Sequence, residues 1–151
     1  MTRKVDPFAA SSLTKLWLET SNAVVASLDP VLVHLVEIRA SQINGCAHCL
    51  NMHTKAARAK GETEQRLNVL AGWRHAPVFT DRERAALGWT EALTRLSEGY
   101  PDPAARAALQ AQFSEEEQVN LTLMINIING WNRIVLGFDL WADTVPAAAA
   151  A

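Results

Sequence analysis

Three Asp-Pro steps, Asp6-Pro7, Asp29-Pro30 and Asp102-Pro103, constrain this chain more than any other feature of it. In each, the acid suits an N-cap, where a side-chain oxygen satisfies backbone N–H groups that lack a helical partner. The proline that follows suits the first helical position, where no N–H is needed. Thr80-x-x-Glu83 and Ser114-x-x-Glu117 have the spacing of capping boxes. Gly61, Gly99 and the Ala76-Pro77 step act as stops. Strand signals are nearly absent. These starts and stops predict helices over 8–27, 30–43, 46–60, 63–74, 81–97, 103–112 and 115–142. The expected fold is all-α, a single-domain helical bundle of six to seven helices over residues 1–145, with an Ala-rich tail at 146–151 that frays.

At 151 residues, 49% of them hydrophobic, the chain is long and apolar enough to bury one core. A formal net charge of −2, with no basic run, argues against a nucleic-acid partner. No apolar stretch approaches the roughly 18 residues of a membrane span. Met1–Pro7 runs into a mixed polar segment and lacks the apolar centre of a signal peptide. A cytoplasmic protein without a membrane partner is expected. In that compartment a closely spaced cysteine pair points to catalysis or metal binding rather than to a structural staple.

Both cysteines of the chain lie in Cys46-Ala47-His48-Cys49, and His53 follows. On a helix these three side chains fall within about 60° of one another. Asn44-Gly45 reads as a turn with an N-cap, which puts both cysteines in the first turn of the next helix. Unpaired N–H groups and the positive end of the helix dipole stabilise a thiolate there. His53, four residues beyond Cys49, can hydrogen-bond that cysteine or accept its proton.

A helical pair three residues apart has Cβ atoms about 5–6 Å apart. A relaxed disulfide needs about 3.5–4.5 Å, so closing the bond requires adjustment of the first turn. Redox turnover suits such a pair better than a permanent bridge. Zinc held by Cys46, Cys49 and His53 stays open, although no third cysteine or second C-x-x-C completes a structural site. Thioredoxin-like chemistry would need a βαβ context, and haem attachment a histidine where Leu50 stands.

On the preceding helix His34, Glu37 and Ser41 share one face among apolar residues. They form either a solvated stripe or a proton relay facing the cysteines across a tight helix–turn–helix, since imidazole titrates near neutrality. Asn126, Asn129 and Asn132 recur every third residue of the last helix and read as packing with buried hydrogen bonds or a subunit contact rather than a ligand-binding amide row. Ile43 and Met52 suggest an apolar pocket mouth beside the motif. Arg82-Glu83-Arg84 and Glu115-Glu116-Glu117 read as solvated first turns.

The run from Glu37 to Thr54, with Gly61–Leu67 and Ile128–Arg133, closely resembles the alkylhydroperoxidase D-like branch of the carboxymuconolactone decarboxylase superfamily. The resemblance covers roughly residues 30–135. It implies an all-α fold, a homo-oligomer (trimer or hexamer), and reduction of organic hydroperoxides by a redox-active disulfide, an antioxidant peroxidase activity. It also implies that Cys49 attacks the peroxide, that Cys46 resolves the product as a disulfide, and that His53 belongs to a proton relay. Better-studied members carry a relay glutamate twelve residues before the first motif cysteine, where this chain has His34. Glu37 lies one turn further on, so the acid has moved along the helix or His34 acts directly. The decarboxylase branch usually lacks the cysteine pair.

The expected catalytic residues are therefore Cys46, Cys49, His53, His34 and Glu37, with an external dithiol or protein reductant and no bound cofactor or metal. Two other classes use the same residues. One is a thiol–disulfide exchanger or redox sensor without fast peroxide turnover. The other is a metal-binding oligomer built on Cys46, Cys49 and His53.

Overall fold

Asp6, Asp29 and Asp102 each accept hydrogen bonds from backbone N–H groups of the first turn that follows, at 2.8–3.4 Å. Those caps open α1 (Pro7–Ala10), α3 (Pro30–Asn44) and α7 (Pro103–Gln112) in a computed structural model that describes residues 4–141. Thr80 and Ser114 close full capping boxes with Glu83 and Glu117 at the starts of α6 (Asp81–Thr94) and α8 (Glu115–Gly137). The remaining helices are α2 (Leu13–Ala26), α4 (Ala47–Ala59) and α5 (Glu64–Val69), with 3-10 turns at Leu70–Gly72 and Leu96–Glu98. Among the described residues there is no strand, and the bundle is one all-helical domain.

The eight α-helices among the described residues exceed the expected six to seven because the first predicted helix is broken at Ser11-Ser12. Ser11 is extended (φ −146°, ψ 126°), and its hydroxyl accepts the Leu13 N–H at 3.3 Å. Serine competes for the backbone in this way and is poor at continuing a helix. The segments expected to run to 74 and 97 finish instead as the two 3-10 turns. The last helix stops at Gly137 rather than continuing toward 142. The expected Ala-rich tail at 146–151 and the domain limit at 145 lie outside the described residues.

Helix α3 is the centre of the bundle. Its Leu32, Val33, Val36 and Ala40 join a core with residues of α6, α7 and α8, such as Ala86, Leu109, Leu121 and Ile125. Its Leu35 and Ile38 join a second core with Ala57, Leu67, Leu70, Trp73, Phe79 and Leu87. A helix packed on several sides is apolar nearly all round, so its few polar residues are buried. Glu37 and Ser41 are accordingly 8% and 0% exposed, which rules out the solvated-stripe reading.

The same burial governs Arg39, which pairs through Nε and Nη2 with Glu91 Oε1 at 2.8 Å. Glu91 also accepts from Trp73 Nε1 at 2.8 Å and from Arg74, with Arg95 at 3.7 Å. Burial pushes the Glu91 carboxyl up, but hydrogen bonds from Trp73, Arg74 and Arg39 outweigh it and hold the group below its ordinary range. Glu91→Gln keeps the shape, removes the charge, and is expected to cost about 2 kcal/mol in urea unfolding at pH 7. A depressed folded-state value means this stabilisation is complete above the unfolded-state value and fades as pH falls through the folded one. The gap between wild type and variant should therefore narrow in acid.

Glu115 and Glu116 are exposed, as expected of a solvated first turn, whereas Arg82, Glu83, Arg84 and Glu117 are half-buried. Arg82 Nη2 meets Glu117 Oε1 at 2.7 Å, and Glu83 Oε1 meets Arg66 Nη2 at 2.6 Å, so both capping boxes are tied into side-chain pairs.

At Gly130, α2 comes close to α8, where an added Cβ would lie 2.7 Å from Trp17 Cζ2. Trp131, the next residue, donates its Nε1–H to Ser21 Oγ of α2 at 3.0 Å and stacks on Phe8 of α1 at 5.8 Å between ring centroids. Gly130→Ala is expected to lose about 1–3 kcal/mol by overpacking, seen as a lowered Tm. Phe8, Ser21 and Trp131 also line the cavity described next.

Candidate active site

Asn44 ends α3, and Gly45 turns the chain in the left-handed region (φ 68°), a conformation glycine adopts without steric penalty. The Gly45 and Cys46 N–H groups both donate to Ser41 O. The side chains around this turn are tied to α8. Asn44 Nδ2 donates to Asn129 Oδ1 (2.9 Å) and Asn132 Oδ1 (2.8 Å), while Asn132 Nδ2 donates to Ser41 Oγ (3.1 Å). Two members of the asparagine row thus pack with buried hydrogen bonds, and Asn126 faces solvent. The network anchors the turn that delivers Cys46.

Cys46 is not inside the first turn of α4, as the sequence suggested. It is the N-cap, with extended backbone (φ −82°, ψ 91°), and Cys49 is the third helical residue. The true cap is Cys46 because Asn44-Gly45 finishes the preceding helix. This displacement resolves the Cβ mismatch of a fully helical pair. The two cysteines are joined by a disulfide with a Cα–Cα distance of 5.3 Å, within the usual range. Both are closed off from bulk solvent, at 0% and 1% exposure.

Across the turn, Glu37 Oε2 faces two imidazoles, His53 Nδ1 at 2.9 Å and His34 Nδ1 at 3.3 Å. Burial pushes the Glu37 carboxyl up, but hydrogen bonds and charge from His34 and His53 prevail and hold it below its ordinary range. An ionised carboxylate can only accept hydrogen bonds, so each Nδ1 carries hydrogen. In neutral His53 this leaves Nε2 as the lone-pair nitrogen, able to take a proton. Glu37 is therefore placed to fix the orientation of the His53 ring.

Cys49, Glu37, His53 and His48 line one cavity of about 390 Å³. Phe8, Leu18 and Val25 wall it from the N-terminal helices, and Ile127, Trp131 and Ile134 from α8. Cys46 is not in the lining, and neither is His34, which reaches the site through Glu37. Of the apolar residues expected at the mouth, Met52 lines it and Ile43 does not. His48 makes an edge contact with Trp141, with ring centroids 6.3 Å apart. The disulfide engages both sulfurs that a zinc set of Cys46, Cys49 and His53 would need. Among the described residues no cluster of three or more His, Cys, Asp or Glu is arranged to hold a metal ion. None of the described helices is long and apolar enough to cross a membrane.

The carboxymuconolactone decarboxylase family model matches residues 12–92. The uncharacterized protein YdfG of Bacillus subtilis is 42% identical over 110 residues, covering 72% of this chain and 74% of the relative. A crystal structure from Agrobacterium tumefaciens, of a protein of unknown function described as a candidate antioxidant-defence protein AhpD, superposes with a TM-score of 0.90. It shares 40% identity and covers 95% of this chain and all of that one. The debrominase Bmp8 shares the fold alone, at 20% identity and a TM-score of 0.70, over 80% of this chain and 64% of its own. With the helical bundle and the C-x-x-C disulfide, these likenesses show that the chain belongs to the alkylhydroperoxidase D-like branch of the carboxymuconolactone decarboxylase family.

Proposed function

We propose that this protein is a thiol-dependent peroxidase that reduces organic hydroperoxides through Cys49 and Cys46. What carries the reading is one observation: Cys49, Glu37 and His53 line the same cavity, with Cys46 bonded to Cys49 from behind it. In the reduced protein, the Cys49 thiolate benefits from its place in the first turn of α4. It attacks the outer oxygen of the hydroperoxide, the O–O bond breaks, and the departing alkoxide takes a proton from His53 to leave as an alcohol. The Cys49 sulfenic acid condenses with the Cys46 thiol, releasing water and forming the disulfide. An external dithiol or dithiol protein then returns both cysteines to thiols and leaves oxidised. Hydroperoxide and dithiol become alcohol, water and disulfide.

Glu37 takes the place of the family's relay glutamate one turn along α3, and His34 acts as its second hydrogen-bond partner. Apolar side chains exposed on α2, Leu13 at 69% and Leu16 at 57%, favour a homo-oligomer, trimer or hexamer, whose mass in solution checks it. The reading extends to antioxidant work in the cytoplasm.

The deciding experiment counts free thiols on reduced protein after one equivalent of cumene hydroperoxide without oxygen, with metal content measured on the same sample. Rapid loss of both thiols, one alcohol formed per hydroperoxide, and recovery with dithiothreitol are expected. Thiols that survive untouched would overturn the proposal. A slow reaction with a readily reversible disulfide would favour a thiol–disulfide exchanger or sensor, and stoichiometric zinc a metal-binding oligomer.

A further inference from the structure

The cavity beside Cys49 has a charge bias that peroxide reduction alone does not require. Its volume of about 390 Å³ is that of a pocket for a small organic molecule. Hydrogen peroxide would leave most of that space unfilled. Away from Cys49 the walls are apolar, with Leu18, Val25, Ile127 and Ile134 among them.

No lysine or arginine is among the described residues that line the cavity. The one carboxylate among them is Glu37, which stays ionised because two imidazoles hydrogen-bond it. Any positive charge on His53 lies against that carboxylate, at 2.9 Å. On the α2 side the Ser21 hydroxyl is already engaged, donating to Trp17 O at 2.7 Å and accepting from Trp131 Nε1 at 3.0 Å. The other imidazole of the lining, His48, packs edge-on against Trp141. A carboxylate entering here would lose its hydration, find no lysine or arginine among the described lining residues to replace it, and face a like charge at Glu37.

We infer that the cavity selects uncharged hydroperoxides with an apolar body and rejects anionic ones such as fatty-acid hydroperoxides. This rests on the peroxidase reading and names the substrate class of the same site. Selection comes from the cost of dehydrating the wrong substrate rather than from a contact to the right one.

Three probes separate charge from size: cumene hydroperoxide, its para-carboxylate, and the methyl ester of that carboxylate. The ester is larger than the acid but neutral. The carboxylate is expected to show a kcat/KM at least about 100-fold below that of the ester, the scale of a buried unpaired charge. Val25→Lys, at the cavity rim, is expected to raise the carboxylate-to-ester ratio about 10-fold by supplying the missing cation. A carboxylate turned over as well as the ester overturns the inference and leaves the peroxidase reading standing. If none of the three oxidises the thiols, the peroxidase reading fails. The charge bias is then decided by calorimetric titration of the corresponding alcohols into the disulfide form. Tighter binding of the ester supports the bias, and equal or tighter binding of the acid overturns it.

Discussion

Cys49→Ser is expected to lower kcat/KM for cumene hydroperoxide by at least about 10³-fold, with folding unchanged. A serine hydroxyl is not appreciably ionised at neutral pH, so the nucleophile disappears while the cavity keeps its shape. Cys46→Ser should behave differently. Cys46 does not line the cavity, so its loss leaves the attacking thiol and its surroundings in place. One equivalent of hydroperoxide should still be consumed, after which Cys49 remains as a sulfenic acid that dimedone traps. The two variants thus assign separate roles to two sulfurs that the disulfide alone treats alike. If dimedone instead labels Cys46 in the Cys49→Ser protein, at wild-type rate, the order of attack is reversed.

The helix starts were legible because each depends on two or three adjacent residues. Asp29-Pro30 or Ser114-x-x-Glu117 carries its own hydrogen-bond partners, and the structure uses them as written. The break at Ser11-Ser12 was missed because neither glycine nor proline marks it. The only signal is a pair of hydroxyls that compete for the backbone. Within the site, the His34–Glu37 contact follows from a spacing of three on one helix. The His53–Glu37 contact does not, because it depends on how α4 folds back on α3 through the turn at Gly45. The offset of Cys46 from the helix has the same origin, since Asn44-Gly45 belongs to the end of α3 rather than to the start of α4.

Long-range polar pairs were the least legible. Arg39 and Glu91 are 52 positions apart, and Asn44 and Asn132 are 88 apart. The asparagine row marked Asn132 as a packing residue, but nothing in either local pattern names its partner. A charged residue such as Arg39 amid the apolar run of α3 was the one available hint, since a helix buried on several sides must pair any charge it carries. The same argument applies to Glu37. Both charges sit on the central helix, one paired with Glu91 in the core and the other lining the cavity.

Glu37→Gln tests that division directly. Glutamine fits the same space and can still accept from one imidazole, so the bundle should fold and the cavity should keep its volume. What changes is the proton economy of His53. The carboxylate compels hydrogen at Nδ1, whereas an amide offers both a donor and an acceptor and lets either nitrogen carry it. It also removes the negative charge that stabilises imidazolium before the proton passes to the alkoxide. Turnover is expected to fall about 10²–10³-fold, the usual scale of a general acid–base contribution. Because His34 and His53 hold the Glu37 carboxyl below its ordinary range, wild-type Glu37 stays ionised well into mild acid. The acid limb of the wild-type rate profile should therefore follow other groups, and Glu37→Gln should lower the whole profile rather than remove that limb. Glu37→Asp, which restores charge at a shorter reach, should recover part of the loss. Wild-type turnover in Glu37→Gln, measured beside an unchanged Tm, would remove Glu37 from the relay and leave His53 to act without an orienting acid.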